Sequence, residues 1–277
     1  MHQDGVDVSS FYLDRPLNFA HRGARHEAPD NTLPAFLLAA ELGADGIELD
    51  VQLTRDGELV VIHDFVLETT TDGQGPVRDR TLAELKELDA GSWFDPVFSG
   101  QRIPTLQEVI EAVGRRLLLN IELKTTSVQD DGLAAAVVRA IEDNHLLDQT
   151  IVSSFNPLAV WRVKVKNPWI FTGLLYAPQL PIAARRPWLR HLVQPDALHP
   201  HYTLVDEQHV HWANKRGYRV HTWTVDEPGD MRQLIQQGVD LIITARPDIL
   251  AQVLGSGPGQ GQPSIHRLPS TPHLREG

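Results

Sequence analysis

Gly46-Ile-Glu-Leu-Asp-Val-Gln-Leu-Thr-Arg-Asp-Gly-Glu-Leu-Val-Val-Ile-His63 reads as two strands folded back on each other. Both arms alternate or are β-branched, and Asp56-Gly57 has the chemistry of a two-residue hairpin turn. With those two residues as the loop, Arg55 pairs with Glu58, and counting outward puts Asp50 opposite His63. Glu48, two residues before Asp50, shares its face because strand side chains alternate. Acidic residues on a half-exposed strand are usually a solvated face. Here Val60, Val61 and Ile62 run into His63 without polar interruption, and Gly46-Ile47 leads into Glu48. Such runs suit strands covered on both sides, where a carboxylate is costly unless a cation or donor meets it. The stretch therefore suggests a metal site with an acid/base group beside it.

Outward from the hairpin, strand-like and helix-like segments alternate. Strands are expected at Leu17 to His21, Gly46 to Val51, Leu117 to Leu123, Thr150 to Ser154, Trp169 to Leu174, Asp196 to His199, Tyr218 to Thr222 and Asp240 to Thr244. Helical patterns fall between most of them, notably Thr105 to Val113, Gly132 to Asn144, Val205 to Lys215 and Glu227 to Gln237. Asn31-Thr32 caps an earlier helix with Pro34 in its first turn and Gly43 as its stop. Leu42-Gly-Ala-Asp45 and Gln237-Gly-Val-Asp240 are one connection used twice, a helix-ending glycine and a short turn into an apolar strand. Eight such strands predict an α/β fold, a (β/α)8 TIM barrel, with function at the C-terminal strand ends, where His21, Asp50, Glu122, Lys124 and Trp223 fall. The arm Glu58 to Ile62 adds an antiparallel strand over the mouth. Residues 64–102 lack the alternation and read as a small insertion after the second strand and its hairpin. One barrel domain is expected over residues 1–254, and the Gly-, Pro-, Ser- and Gln-rich residues 255–277 read as a disordered tail.

Composition narrows the partners. The 277 residues are 42% hydrophobic and 22% charged, and 25 Lys plus Arg against 36 Asp plus Glu give a formal charge of −11. That charge opposes nucleic acid and stable association with anionic membranes, although a small anion can still find local positive groups. The absence of cysteine excludes disulfides, thiolate metal sites and cysteine nucleophiles. No apolar run has the length of a signal-peptide core near the N-terminus or of a membrane span elsewhere, so a cytoplasmic enzyme is expected.

His21-Arg22-Gly23 with Pro29-Asp-Asn-Thr32, Glu48-Leu-Asp50, His63-Asp64, Asn120-Ile-Glu-Leu-Lys124 and Trp223-Thr-Val-Asp226 stand in an order that resembles the glycerophosphodiester phosphodiesterase family. Thr71-Asp72-Gly73, Ile103-Pro-Thr-Leu106, Ser154-Phe155 and the closing Ile242-Ile-Thr-Ala-Arg-Pro-Asp248 extend the resemblance from about Asn18 to Asp248. It implies that Glu48, Asp50 and Glu122 are ligands of one divalent cation, Mg²⁺ or Ca²⁺, that His21 and His63 are the acid/base pair, that Arg22 and Lys124 meet the phosphate, and that Trp223 packs on glycerol. The implied reaction is hydrolysis of a small glycerophosphodiester to glycerol 3-phosphate and an alcohol. Asp30 and Asp226 depart from the family's usual glutamate and asparagine. Rival readings are a lysophospholipid or phosphoinositide phosphodiesterase on the same barrel, which calls for a hydrophobic or basic rim not evident in the sequence, and an inactive phosphoester-binding module, which calls for a lost ligand or histidine. Among the remaining histidines, His209 and His211 are spaced to face apart on a helix, His199 closes a strand where it can line the mouth, and His221 suits packing. Trp93-Phe94 reads as the apolar anchor of the insertion.

Overall fold

In the computed structural model, which describes residues 12–180 and 185–255, eight parallel strands close into a barrel. In chain order the strands are β1 (Leu17–His21), β2 (Gly46–Leu53), β3 (Leu59–Val61), β4 (Leu118–Leu123), β5 (Thr150–Ser154), β6 (Phe171–Tyr176), β7 (Ala197–Pro200), β8 (Arg219–Thr222) and β9 (Leu241–Thr244). All pair in parallel except β3, which pairs antiparallel with β2, and closure comes where β1 pairs with both β2 and β9. The helices are α1 (Leu33–Glu41), α2 (Leu82–Lys86), α3 (Leu106–Val113), α4 (Leu133–Asp143), α5 (Pro157–Lys166), α6 (Arg190–Val193), α7 (Glu207–Asn214), α8 (Pro228–Gln237) and α9 (Pro247–Val253). No helix among the described residues is long and apolar enough to cross a membrane.

Alternation along each strand divides the core in two. Ile47, Leu49 and Val51 of β2 and Leu119, Ile121 and Leu123 of β4 pack outward against α1, α3 and α4. Leu17, Phe19, Ile151, Phe171, Ala197, Leu241 and Ile243 form a separate buried cluster drawn from five strands, the apolar filling of the barrel. Above that filling the inward positions turn polar, with Glu48, Asp50, Asn120 and Glu122 all buried.

The repeated connection has a structural reason. Asp45 donates its backbone N–H to the Asn18 carbonyl and accepts the Asn18 N–H on its carboxylate, each at 2.8 Å. Asp240 does the same to Val220 and Asp196 to Thr172, with all four bonds between 2.7 and 2.9 Å. Each aspartate thus satisfies both backbone groups of a residue on the preceding strand and fixes the stagger at the barrel's base.

Three expectations shift. β6 begins at Phe171, because Trp169 lies in a turn whose N–H bonds to the Asn167 side chain. The hairpin loop has three residues, Arg55 to Gly57: Thr54 pairs with Glu58, and Gly57 takes the left-handed conformation at φ 87°. The register consequently slips by one, Val51 facing Val61, and the Asp50 carbonyl accepts the N–H of Ile62 rather than lying opposite His63. Finally, Thr32 occupies the N-cap position of α1 without capping it; its hydroxyl donates to the Pro29 carbonyl at 2.5 Å.

After β3 the chain forms two single helical turns, α2 and a third turn before returning through Arg102. Val60, Ile62, Leu67, Val77, Leu85, Ala90 and Ile103 give this excursion its own apolar core. Beyond Gly255, the tail expected to be disordered lies outside the described residues.

Candidate active site

Parallel pairing brings the carboxylates together. Glu48 is level with His21 across β1 and β2, and Asp50 is level with Glu122 across β2 and β4. One oxygen from each of Glu48, Asp50 and Glu122 lies within 4.8 Å of the others, and all three residues are buried. Burial and the neighbouring Asp50 and Glu122 push the Glu48 carboxyl well above its ordinary range. Burial also raises Glu122, to about 7, with Asp50 adding to the rise against the opposing pull of Lys124. Asp50 goes the other way, since Lys124, Arg22 and His63 together outweigh its burial and lower it. Oxygen Oε1 of Glu48 is buried with no hydrogen-bond partner. Three converging hard oxygens, one orphaned and two held against ionisation, fit a divalent cation of the Mg²⁺ or Ca²⁺ kind.

Two cations are built into the same wall. Lys124 Nζ lies 3.0 Å from Glu122 and 3.6 Å from Asp50. Arg22 reaches Asp30 at 3.0 Å and Asp50 at 3.2 Å, while its backbone N–H donates to the Glu48 carboxylate at 3.1 Å. Both Arg22 and Asn31 have φ of 56°, a conformation that costs about 1–3 kcal/mol and marks places where surrounding contacts dictate the backbone. The contact at Asn31 is plain: its amide donates to Asp50 Oδ2 at 2.9 Å and accepts the Asp50 N–H at 3.3 Å.

The two histidines sit differently. His21 Nε2 is 3.8 Å from Glu48 and its Nδ1 is 3.3 Å from the Thr224 hydroxyl. Burial, then Arg22, Arg25, His63 and Lys124, hold it well below its ordinary pKa. His63 is brought in by a bend rather than by strand pairing. Gln52 Nε2 donates to the carbonyls of Ile62, His63 and Asp64 at 2.8–3.3 Å, gathering the chain just past β3. His63 Nδ1 bonds Asp64 at 2.8 Å, and its depression by burial is opposed by Asp50 and Asp64.

Trp223 follows β8, donating its indole N–H to the His199 carbonyl at 2.9 Å. Its ring meets Phe155 and His201 edge-on at 5.3 and 5.2 Å. No side-chain hydrogen bond joins it to the carboxylates; the neighbouring Thr224, through His21, makes the link. His199 does not line the mouth. It is fully buried and hydrogen-bonded to His221, which bonds the Tyr12 hydroxyl, each at 2.8 Å. Only glycine fits at position 173, where a Cβ would stand 2.1 Å from the His199 ring.

Asn31, Gln52, Thr224 and Arg25 are absent from the set read off the sequence. Asn31 carried a signal, but one of helix capping. Arg25, half-buried on the β1–α1 connection, adds positive potential at His21 and makes no ion pair among the described residues.

The sequence profile of the Glycerophosphoryl diester phosphodiesterase family matches residues 21–249. A glycerophosphodiester phosphodiesterase of Caldanaerobacter subterraneus subsp. tengcongensis is 44% identical over 245 residues, which cover 88% of this chain and 99% of that protein. Among solved structures, an Oleispira antarctica phosphodiesterase in complex with the product sn-glycerol-3-phosphate superposes with a TM-score of 0.81 at 34% identity, covering 90% of this chain and 99% of that one. The glycerophosphodiester phosphodiesterase of Agrobacterium tumefaciens gives 0.75 at 30% identity, covering 86% and 99%.

Proposed function

The chain belongs to the glycerophosphoryl diester phosphodiesterase family, and from that premise we propose how it hydrolyses glycerophosphodiesters to glycerol 3-phosphate and an alcohol. The observation that carries the reading is the meeting of three buried carboxylate oxygens within 4.8 Å, flanked by His21 and His63 and countered by Arg22 and Lys124. Glu48, Asp50 and Glu122 would hold one divalent cation, which when bound supplies a positive field that offsets phosphate charge.

Arg22 and Lys124 do the rest of the charge work. A phosphodiester anion repels an attacking oxygen, and a fixed guanidinium and ammonium stabilise the negative charge carried by the equatorial phosphoryl oxygens in the transition state. Their tethering to Asp50, Asp30 and Glu122 keeps them in place, so no reorganisation is needed on substrate arrival. His21, neutral among cations and with Nδ1 against Thr224, suits removal of a proton from the attacking oxygen. His63, whose Nδ1 faces Asp64, suits the imidazolium that protonates the departing alkoxide. Trp223 offers its face to the glycerol.

Purified protein assayed with several glycerophosphodiesters tests the reading. Glycerol 3-phosphate release should vanish in chelator, return with Mg²⁺ or Ca²⁺, and fall about a hundredfold to ten-thousandfold in His63→Ala. Turnover indifferent to chelator, or an unimpaired His63→Ala enzyme, overturns the mechanism.

A further inference from the structure

Trp93 does not anchor the insertion, as its sequence setting suggested. The apolar core of that excursion is complete without it, and the side chain stands 45% exposed. Its ring is nevertheless held in place. The indole N–H donates to the Ala90 carbonyl at 3.0 Å, and Phe94 meets the ring edge-on at 5.7 Å. The turn beneath is pinned by Asp89, whose carboxylate accepts the backbone N–H groups of Gly91, Ser92 and Gly100 at 2.5 to 2.9 Å. Only glycine fits at position 91, where a Cβ would stand 2.0 Å from the Phe98 carbonyl oxygen. Elsewhere in the chain Arg190 and Arg216 lie over the Trp212 ring and Arg219 over Tyr12, but among the described residues no cation lies over Trp93. A large aromatic face shown rigidly to solvent loses little freedom when a ligand covers it.

Trp93 also stands beside the reacting centre. Ala90, which accepts its indole bond, lines a recess between the insertion and the β1–α1 connection, together with His63, Asp30, Asn31, Thr70 and Ile103. His63 is the group assigned above to protonation of the departing alkoxide, so the alcohol leaves on this side, away from Trp223. The surroundings are negative. Residues 64–102 carry eight carboxylates against four cations, and each cation already reaches an acceptor: Arg78 the Asp79 carboxylate, Lys86 that of Glu108, Arg80 and Arg102 backbone carbonyls. The site's own Arg22 and Lys124 are tethered to Asp30, Asp50 and Glu122. An aromatic face in a negative field complements a cation, above all a quaternary ammonium, which has no N–H to give to a carboxylate.

We infer that Trp93 is a specificity-determining residue that selects the leaving group, favouring glycerophosphodiesters whose alcohol carries a quaternary ammonium over those with an uncharged alcohol of the same shape. The inference rests on the hydrolysis proposed above and on His63 acting at the leaving group. The chemical step is unchanged: the bond from phosphorus to the ammonium alcohol's oxygen breaks, water supplies the new oxygen on phosphorus, and the alcohol leaves with a proton.

The test compares glycerophosphocholine with its tert-butyl carbon isostere, identical in shape but uncharged, by release of glycerol 3-phosphate from the metal-loaded protein. The ratio of their kcat/KM values should favour the cation about fivefold to thirtyfold, the range of a cation over a partly desolvated indole. Trp93→Ala should bring that ratio to about one, and Trp93→Phe, which keeps an aromatic face, should retain part of it. Equal kcat/KM for the two diesters in the unmodified protein overturns the inference, as expected were the ring an apolar contact only or a face covered by another protein. So does a Trp93→Ala enzyme that keeps the ratio, or one that loses turnover on both diesters alike, which would make the residue structural. Failure of the diesterase reading itself is separately visible, as absence of glycerol 3-phosphate from either substrate.

Discussion

The barrel buries two groups of ionisable side chains and treats them in opposite ways. Around Glu48, Asp50 and Glu122, like charges converge, an oxygen is left without a partner, and cations are held close without neutralising the set. Around His199 and His221, burial keeps both rings neutral, His199 at about 3, and a chain of hydrogen bonds runs from Tyr12 through His221 to His199. Phe171 stacks on His221 at 6.0 Å and Arg219 lies over the Tyr12 ring at 4.4 Å, so the second group is packed as core. Burial of a titratable residue therefore does not mark a site. Nor does an orphaned polar atom, since His199 Nδ1 is also buried without a partner; the distinguishing sign is the convergence of like charges, which persists in a folded protein only where a ligand is expected to resolve it.

The sharpest break of that comparison is Glu48→Gln. Removing one charge from the conflicted group should cut turnover about a thousandfold or more, as loss of a metal ligand does, yet raise the melting temperature of the chelator-treated protein. Calorimetry read beside activity checks it; a variant less stable in chelator would show that the carboxylates are satisfied as they stand. A smaller effect is expected from Asn31→Ala, which frees Asp50 without touching its charge. Metal affinity by titration calorimetry should fall about tenfold to a hundredfold, as for other residues that orient a ligand. Unchanged affinity would assign Asn31 to helix α1 alone.

The gentlest test separates the two groups by sign. His199 and His221 have folded pKa values below the unfolded value of about 6.5, so the unfolded state takes up protons first and their contribution to stability, complete above that pH, is lost on acidification, towards about 3 for His199. The slope approaches about 1.4 kcal/mol per pH unit for each ring. Glu122, raised to about 7, has the opposite sign: its penalty is present above that pH and is relieved as pH falls towards the unfolded value near 4.5. Metal-free Glu122→Gln should therefore lose stability more steeply between pH 7 and 5 than the unmodified protein, in melting curves taken across that range. Parallel curves would mean that Glu122 ionises normally.

The carboxylate wall and the buried histidine pair also differ in how plainly the sequence announced them. Glu48-Leu-Asp50 and Asn120-Ile-Glu122 on neighbouring strands needed only alternation and parallel pairing to be placed on one inner face. His63 comes near Asp50 by another route than pairing: the expected two-residue turn would have set it opposite Asp50, whereas the three-residue turn shifts the register and Gln52 holds a bend just past β3. A one-residue slip matters in a strand because it inverts every side chain, and turn length fixes it. His199 gave no such signal: closing a strand, it could equally have lined the mouth, and only packing buries it against His221.

By itself the sequence determined the alternation of strands and helices, the inward face of the carboxylate-bearing strands and the family, since each depends on residue spacing within a segment or on the order of motifs. Only the tertiary structure decided which polar groups satisfy one another. Barrel closure puts Thr224 against His21, 203 positions away, and Tyr12 against His221, 209 away. Such contacts are set by the stagger of a closed sheet, a global quantity to which every strand contributes and which no local window contains.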